Sequence, residues 1–508
     1  MSLNNISFVK GRGGLGRPLA GKDYISGLLF YTANGNLPTG FSPTSRVKEI
    51  FSVEDAENLG ISASYKDETM AAAVYTITGV GSTADKITLN FSEPNGKIVT
   101  LGSFVKTAAE STVTLLATAL VLAVNSKTYL HGYSAANTAG AITITAKAGL
   151  GIYPNTTTPL TAVIAGTIAG SITTAFAGGV ASLQSVWHYH IAEFFRMQPK
   201  GFLWVGFYPV PSAYTFAEIQ TMQNAATGDI RQIGVFVDAT LATAHLDAIQ
   251  AVCNTLDSDK MPLSVVYAGN VNSFTNIATL PDLAGLSDNK VSVVVGQDAT
   301  GLGAAIYAAT GKSVTTLGAT LGTVALANVQ EDIAWVGKFN ISNGVECEGL
   351  AFANGQQFTD GSVSSNLLDA IDLKRYIFLR KFPNKAGSFF NDDHTAIGLN
   401  SDYAYINNNR VIDKAIRGVY ASLIDSLNSP LLLQSDGKLA NSTVVSLEGL
   451  AKVNTDQMVR DSEVSAVEVI INPNQNVAST SVITVTINIV PIGTARNIVV
   501  NIGFKTSL

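Results

Sequence analysis

Between residues 201 and 296 the chain carries four uninterrupted apolar runs: GFLWVGFY (201–208), QIGVFVD (232–238), LSVVYA (263–268) and VSVVVG (291–296). Continuous rather than alternating hydrophobicity is what a strand buried on both faces requires. Helical patterns lie between the runs. In the clearest, Leu241, Ala248, Ile249, Val252 and Leu256 share one stripe while Asp247, Asn254 and Asp257 lie off it. Strands alternating with helices demand right-handed crossovers, and these predict a mainly parallel sheet covered by helices. Together with the mixed segment VKEIFSVEDAENLGISASY (47–65), the runs delimit an α/β layer domain over residues 23–70 plus 181–350.

Residues 71–180 change character. AVYTITGV, KITLNF and AITITAKA alternate Thr with apolar residues, and turn signals such as EPNGK separate them. This reads as an all-β module, inserted into a loop of the main domain because surface loops tolerate long insertions. Residues 351–508 form a third unit of α+β character. In NNNRVIDKAIRGVYASLIDSLN, Ile412, Ile416, Val419, Leu423 and Leu427 fall on one helical stripe, and Arg410, Lys414 and Arg417 on another. Three segments then close the chain as strands: VSAVEVIIN (464–472), SVITVTINIV (481–490) and RNIVVNIGF (496–504). In the last, Ile498, Val500, Ile502 and Phe504 share a face. The fold class expected is therefore multidomain α/β and α+β.

With 508 residues, 46% hydrophobic and only 14% charged, the chain must cover its surface with Thr, Ser, Asn, Ala and Gly. Such surfaces are buried against neighbours at little desolvation cost, which suits an assembly subunit; a secreted β-protein shares the bias. A net charge of -6 argues against direct nucleic-acid binding, which calls for a basic face. Cys253 and Cys347 are too few for a disulfide framework and read as buried free thiols. The N-terminus MSLNNISFVKGRGG lacks the charged and apolar regions of a secretory signal, so synthesis in the cytosol is expected. Residues 148–192 carry no charge, but Thr, Ser, Ala and Gly dilute them too far for a transmembrane span.

Candidate chemistry is sparse. Gly11, Gly13 and Gly16 form G-x-G-x-x-G, yet RPLAGKDY is a poor helix start and no βαβ unit follows, so a nucleotide-phosphate role is disfavoured. Gly311, Lys312 and Ser313 imitate the end of a phosphate loop, but Ile306 stands where a glycine is needed, and a helix C-cap at Gly311 explains the run better. His188 and His190 would share a strand face as metal ligands but lack a third. NDDH (391–394) pairs carboxylates with a histidine inside a turn-rich loop, and turn chemistry accounts for it. No cofactor, metal or catalytic residue is expected. The positive edge Arg410, Lys414, Arg417, with DLKRYIFLRKFPNK (372–385), reads equally as a solvated face or as a docking surface for an acidic partner.

The helix after NDDHTAIGLNSDYAYINNNR, the closing strands, and the glycine-rich arm GRGGLGR together resemble the sheath protein of contractile phage tails and related injection machines, in a divergent branch. The resemblance implies a subunit stacked in hexameric rings around an inner tail tube, which assembles in the bacterial cytoplasm and works in a virion or injection-system tail. Its implied partners are other copies of itself, the tube protein, and baseplate and tail terminator proteins. The family's terminal extensions add strands to neighbouring subunits. For this chain that implies shared strands at Ile6, Phe8, Ile498, Val500, Ile502 and Phe504, a tether hinge at Gly11, Gly13, Gly14 and Gly16 within an arm of residues 1–22, and a tube-facing edge at Arg410, Lys414 and Arg417. An arm of about 20 residues reaches at most roughly 65 Å, enough to leave its own domain. The rival readings are a surface-layer or adhesin-like structural protein and a nucleotide-binding enzyme.

Overall fold

A computed structural model describes residues 21–505, apart from 64, 66, 67, 95, 157 and 272. The expected arm residues Ile6 and Phe8 and the hinge glycines 11, 13, 14 and 16 lie outside the described residues. The fold is mixed α/β. Its centre is a seven-stranded sheet in the order Tyr376–Ile377, Val291–Val294, Ser264–Asn270, Gln232–Thr240, Ile25–Tyr31, Phe202–Tyr208, Val47–Ile50. Neighbours run parallel except at the last pair. All four apolar runs become strands of this sheet. The position between Gln232–Thr240 and Phe202–Tyr208 belongs to Ile25–Tyr31, which the sequence reading left unassigned; its seven residues are all buried. Its two hydroxyls are both partnered: Ser26 Oγ accepts a 2.8 Å hydrogen bond from Gln232 Nε2 on the next strand, and Tyr31 OH donates to Glu218 Oε2 at 3.1 Å.

Helices cover both faces. Gln184–Met197 and Leu317–Leu326 pack on one, with Trp187, Phe194, Leu317 and Leu321 in the core; Ala217–Ala225 and Thr243–Ser258 pack on the other through Ile219, Met222, Ile249 and Leu256. The first pair meets along glycines. A Cβ at Gly318 would lie 2.0 Å from the His190 carbonyl oxygen, and one at Gly322 would lie 2.6 Å from that of Phe194. Only glycine permits backbones so close. VWHYHIAEFF, in which a strand would have put both histidines on one face, is part of the helix Gln184–Met197, which is buried on nearly every side; length decides for helix where periodicity cannot.

Residues 72–177 build two antiparallel sheets. One has four strands (Ser134–Thr138, Ala141–Thr145, Ala72–Gly79, Ala169–Ala177), the other three (Ile98–Val105, Lys86–Ser92, Leu160–Ala165). The Thr-rich alternations supply strands, as their period of two requires. The sequence reading did not anticipate the helix Val113–Asn125 across them, which buries Leu116, Ala117, Leu120 and Val124 and is capped by Thr112 Oγ1, 3.3 Å from the Leu115 amide. Tyr75, Phe91, Leu120 and Ile142 belong to a core of their own. The incoming and outgoing segments run side by side, joined by reciprocal backbone hydrogen bonds between Thr69 and Val180.

Beyond the sheet's last strand come the helices Ile406–Leu423 and Asn441–Arg460, then the antiparallel hairpin Val464–Ile471 and Val485–Pro491. The hairpin rests on the second helix, with Met458 and Val464 in one small core and Leu447 and Ile471 in another. Among the described residues, no helix is long and apolar enough to cross a membrane. Two expectations need correction. The buried side of helix Ile406–Leu423 is Val411 and Ala415 together with Arg410 and Asp413, whereas Leu427, placed on the apolar stripe, is 70% exposed and Ile416 also reaches solvent. Residues 496–504 form no strand and pair with no other strand among the described residues.

Candidate functional site

The alternating apolar residues at the C-terminus stand free of the body: Ile498, Val500 and Ile502 are 80%, 69% and 91% exposed, and Phe504 is fully so. Four large apolar side chains in one short segment are costly to leave in water, at about 1.5–3 kcal/mol each relative to full burial. The root of this arm is fixed. Arg496 reaches Asp332 Oδ2 at 3.0 Å and Asp393 Oδ1 at 2.8 Å through Nη2, and Asp392 Oδ1 at 3.0 Å through Nε. Its guanidinium carbon lies 3.4 Å from the centre of the Tyr405 ring, a cation–π arrangement.

Asp332 and Asp393 are buried. Burial, with Asp392 adding repulsion, pushes the Asp332 carboxyl up to about 6, and burial likewise raises Asp393 despite the arginine. The three carboxylates come within 4.8 Å of one another and could hold a metal ion; here the guanidinium supplies the positive charge. A cleft of about 840 Å³ opens beside the root, bounded by Trp335, Phe382, Phe390, Ile492 and Ile498. NDDH is thus more than a turn. Asp392 and Asp393 join Asp332 around Arg496, while His394 Nε2 lies 3.0 Å from Asp372 Oδ1.

The other end of the described chain has the opposite polarity. Asp23, just before strand Ile25–Tyr31, lies 2.8 Å from Lys414 Nζ and 3.5 Å from Arg417 Nη2. Arg410 is buried and donates to the carbonyls of Ala327, Asn328 and Asp23. Lys414 also pairs with Glu463 at 2.5 Å, and the buried Lys290 pairs with Asp413. Burial alone would raise Asp23, but Lys414, Arg410 and Arg417 outweigh it and hold the carboxyl below its usual range. Arg410, Lys414 and Arg417 therefore do not form a free positive edge; their charges are matched inside the chain, between helix Ile406–Leu423 and the root of the N-terminal segment. A buried guanidinium needs such partners, and that need turned the charged stripe inward.

The remaining candidates are structural. Gly311 closes helix Leu302–Thr310 in the left-handed conformation, φ 64°, as a C-cap, and Lys312 pairs with Asp238 at 2.9 Å. His188 bonds Glu57 at 2.9 Å, and burial lowers His190 to about 3. Cys253 and Cys347 are free and buried, and burial raises both thiols. Sequence reasoning missed Arg496, Asp332 and Tyr405 because they lie far apart in the chain.

Residues 4–394 match the family described as DUF2586, N-terminal domain, and residues 402–508 match DUF2586, C-terminal domain. No curated protein matches the sequence. Among solved structures, the helical sheath of the anti-feeding prophage in its contracted state is similar at 13% identity and a TM-score of 0.44, over 62% of this chain and 81% of that one. The six-fold symmetrised baseplate of the same particle is similar at 13% identity and a TM-score of 0.42, over 63% and 80%.

Proposed function

The chain belongs to the DUF2586 family, and we propose that it is a structural subunit of a contractile tail sheath, stacking in hexameric rings around an inner tube and contracting to drive that tube through a target envelope. The observation that carries the reading is the exposed apolar arm 497–505 on a fixed root. A second feature complements it: the hairpin Val464–Ile471 and Val485–Pro491 is a sheet of two strands, a size marginal by itself, with edges able to accept more. An arm that finds no edge at home and a sheet that lacks strands are satisfied together when the arm of one copy pairs with the hairpin of another. Ile6 and Phe8 in the N-terminal arm are assigned the same role, and Gly11, Gly13, Gly14 and Gly16 the role of its hinge.

Strand addition suits a lattice that must shorten without dissociating. Each main-chain hydrogen bond contributes only about 0.5–1.5 kcal/mol net, but several act together and alternate side chains set the register. Tethering keeps neighbours at high effective concentration while domains rotate. The partners are other copies, the tube, and the baseplate and terminator at its ends. Negative-stain microscopy tests the assembly. The purified full chain should form hollow tubes, and a chain ending at Arg496 should stay folded and dispersed. Normal tubes from the shortened chain would overturn the reading.

A further inference from the structure

A groove of about 640 Å³ lies where the hairpin meets the two C-terminal helices. Its walls include Leu423 from the end of the first helix, Leu427 and Leu433 from the segment after it, Leu447 from the second helix, Ile483 from the approach to the second hairpin strand and Val485 from its first position. No charged side chain lines it among the described residues. Leu427 is left largely in solvent. The groove is continuous with a sheet edge: Val485 is both its wall and the first residue of a strand whose ladder partner is Val464–Ile471.

We infer that this groove receives the end of the C-terminal arm from a second copy of the chain, with Phe504 as the anchoring side chain. The inference rests on the strand-exchange reading above and adds where the exchanged strand finishes. Length supports it. Strand Val485–Pro491 has seven residues, about 23 Å at roughly 3.3 Å each, and Ile498 to Phe504 spans the same number. An arm laid antiparallel to that strand, with Ile498 beside Pro491, brings Phe504 to Val485 and the mouth of the groove.

Charge is compatible with this occupant. From Asn497 to Phe504 the arm has no ionisable side chain, which suits a neutral wall, where desolvating an ion is unfavourable. The chain's own arm starts from the Arg496 clasp, and its described residues do not line the groove. An aromatic ring in a leucine-walled pocket is the usual anchor of such contacts.

A fluorescent peptide of residues 496–508, titrated with the full-length chain, tests this by anisotropy. Saturable binding is expected, weakened at least tenfold by Leu427→Glu in the chain and by Phe504→Ser in the peptide. Combining the two should weaken it little further, as for two ends of one contact. Val445→Glu, at an exposed position outside the groove, should bind as the unaltered chain does. Peptide binding that ignores Leu427→Glu would remove the groove and leave strand exchange standing; a peptide that does not bind at all would overturn both.

Discussion

Asp23 and Asp332 mark the roots of the two chain ends, and they respond to protons in opposite senses. Asp23 is held below the usual carboxylate range by its cationic neighbours, so the stability it contributes is present at neutral pH and is lost only as pH falls through that depressed value. Asp332, raised by burial and by Asp392 to about 6 from an ordinary 3.8, binds its proton more tightly folded than unfolded. Its contribution is full below about pH 4 and declines as pH rises to about 6. Asp332→Asn, neutral at every pH, should therefore gain on the unaltered chain between pH 4 and 6. Thermal denaturation at steps across that window measures the gap, and two parallel curves would refute the assignment. None of this was legible in the sequence: Asp332, Asp392 and Arg496 are separated by long stretches, and NDDH signalled only a turn.

Elements built from a single periodicity could be read directly. The four apolar runs became parallel strands, and SVITVTINIV became the second strand of the hairpin, because burial on two faces or on one leaves a pattern in neighbouring residues. Two elements defeated that logic for different reasons. Helix Ile406–Leu423 buries its charged side because counter-charges from Asp23 and Glu463, distant in sequence, await it. Residues 496–504 have strand alternation, but a strand exists only with a neighbour. The contact between helices Gln184–Met197 and Leu317–Leu326 is set by glycine, and this gives a test of how tightly they are held. Gly318→Ala puts a methyl group against the His190 carbonyl and should cost about 1–3 kcal/mol or more in denaturant unfolding. Gly361→Ala, with open space around it, should stay within about 0.5 kcal/mol. Equal values for the two would mean that the helices part easily.

At the scale of the whole molecule, the apolar interior of the described residues divides into five clusters. The β-rich module has its own apolar interior and leaves the body through one pair of neighbouring segments at Thr69 and Val180. Replacing residues 71–179 by a short Gly-Ser linker should leave the seven-stranded sheet intact, because its strands on either side of the module are held by one another. Circular dichroism and a single cooperative melt would check this, and an aggregated product would contradict it. Because the two ends of the module meet, a lineage can trade it for a different one, or an engineer can graft a reporter or a binding domain there, without asking the machinery of the body to change shape.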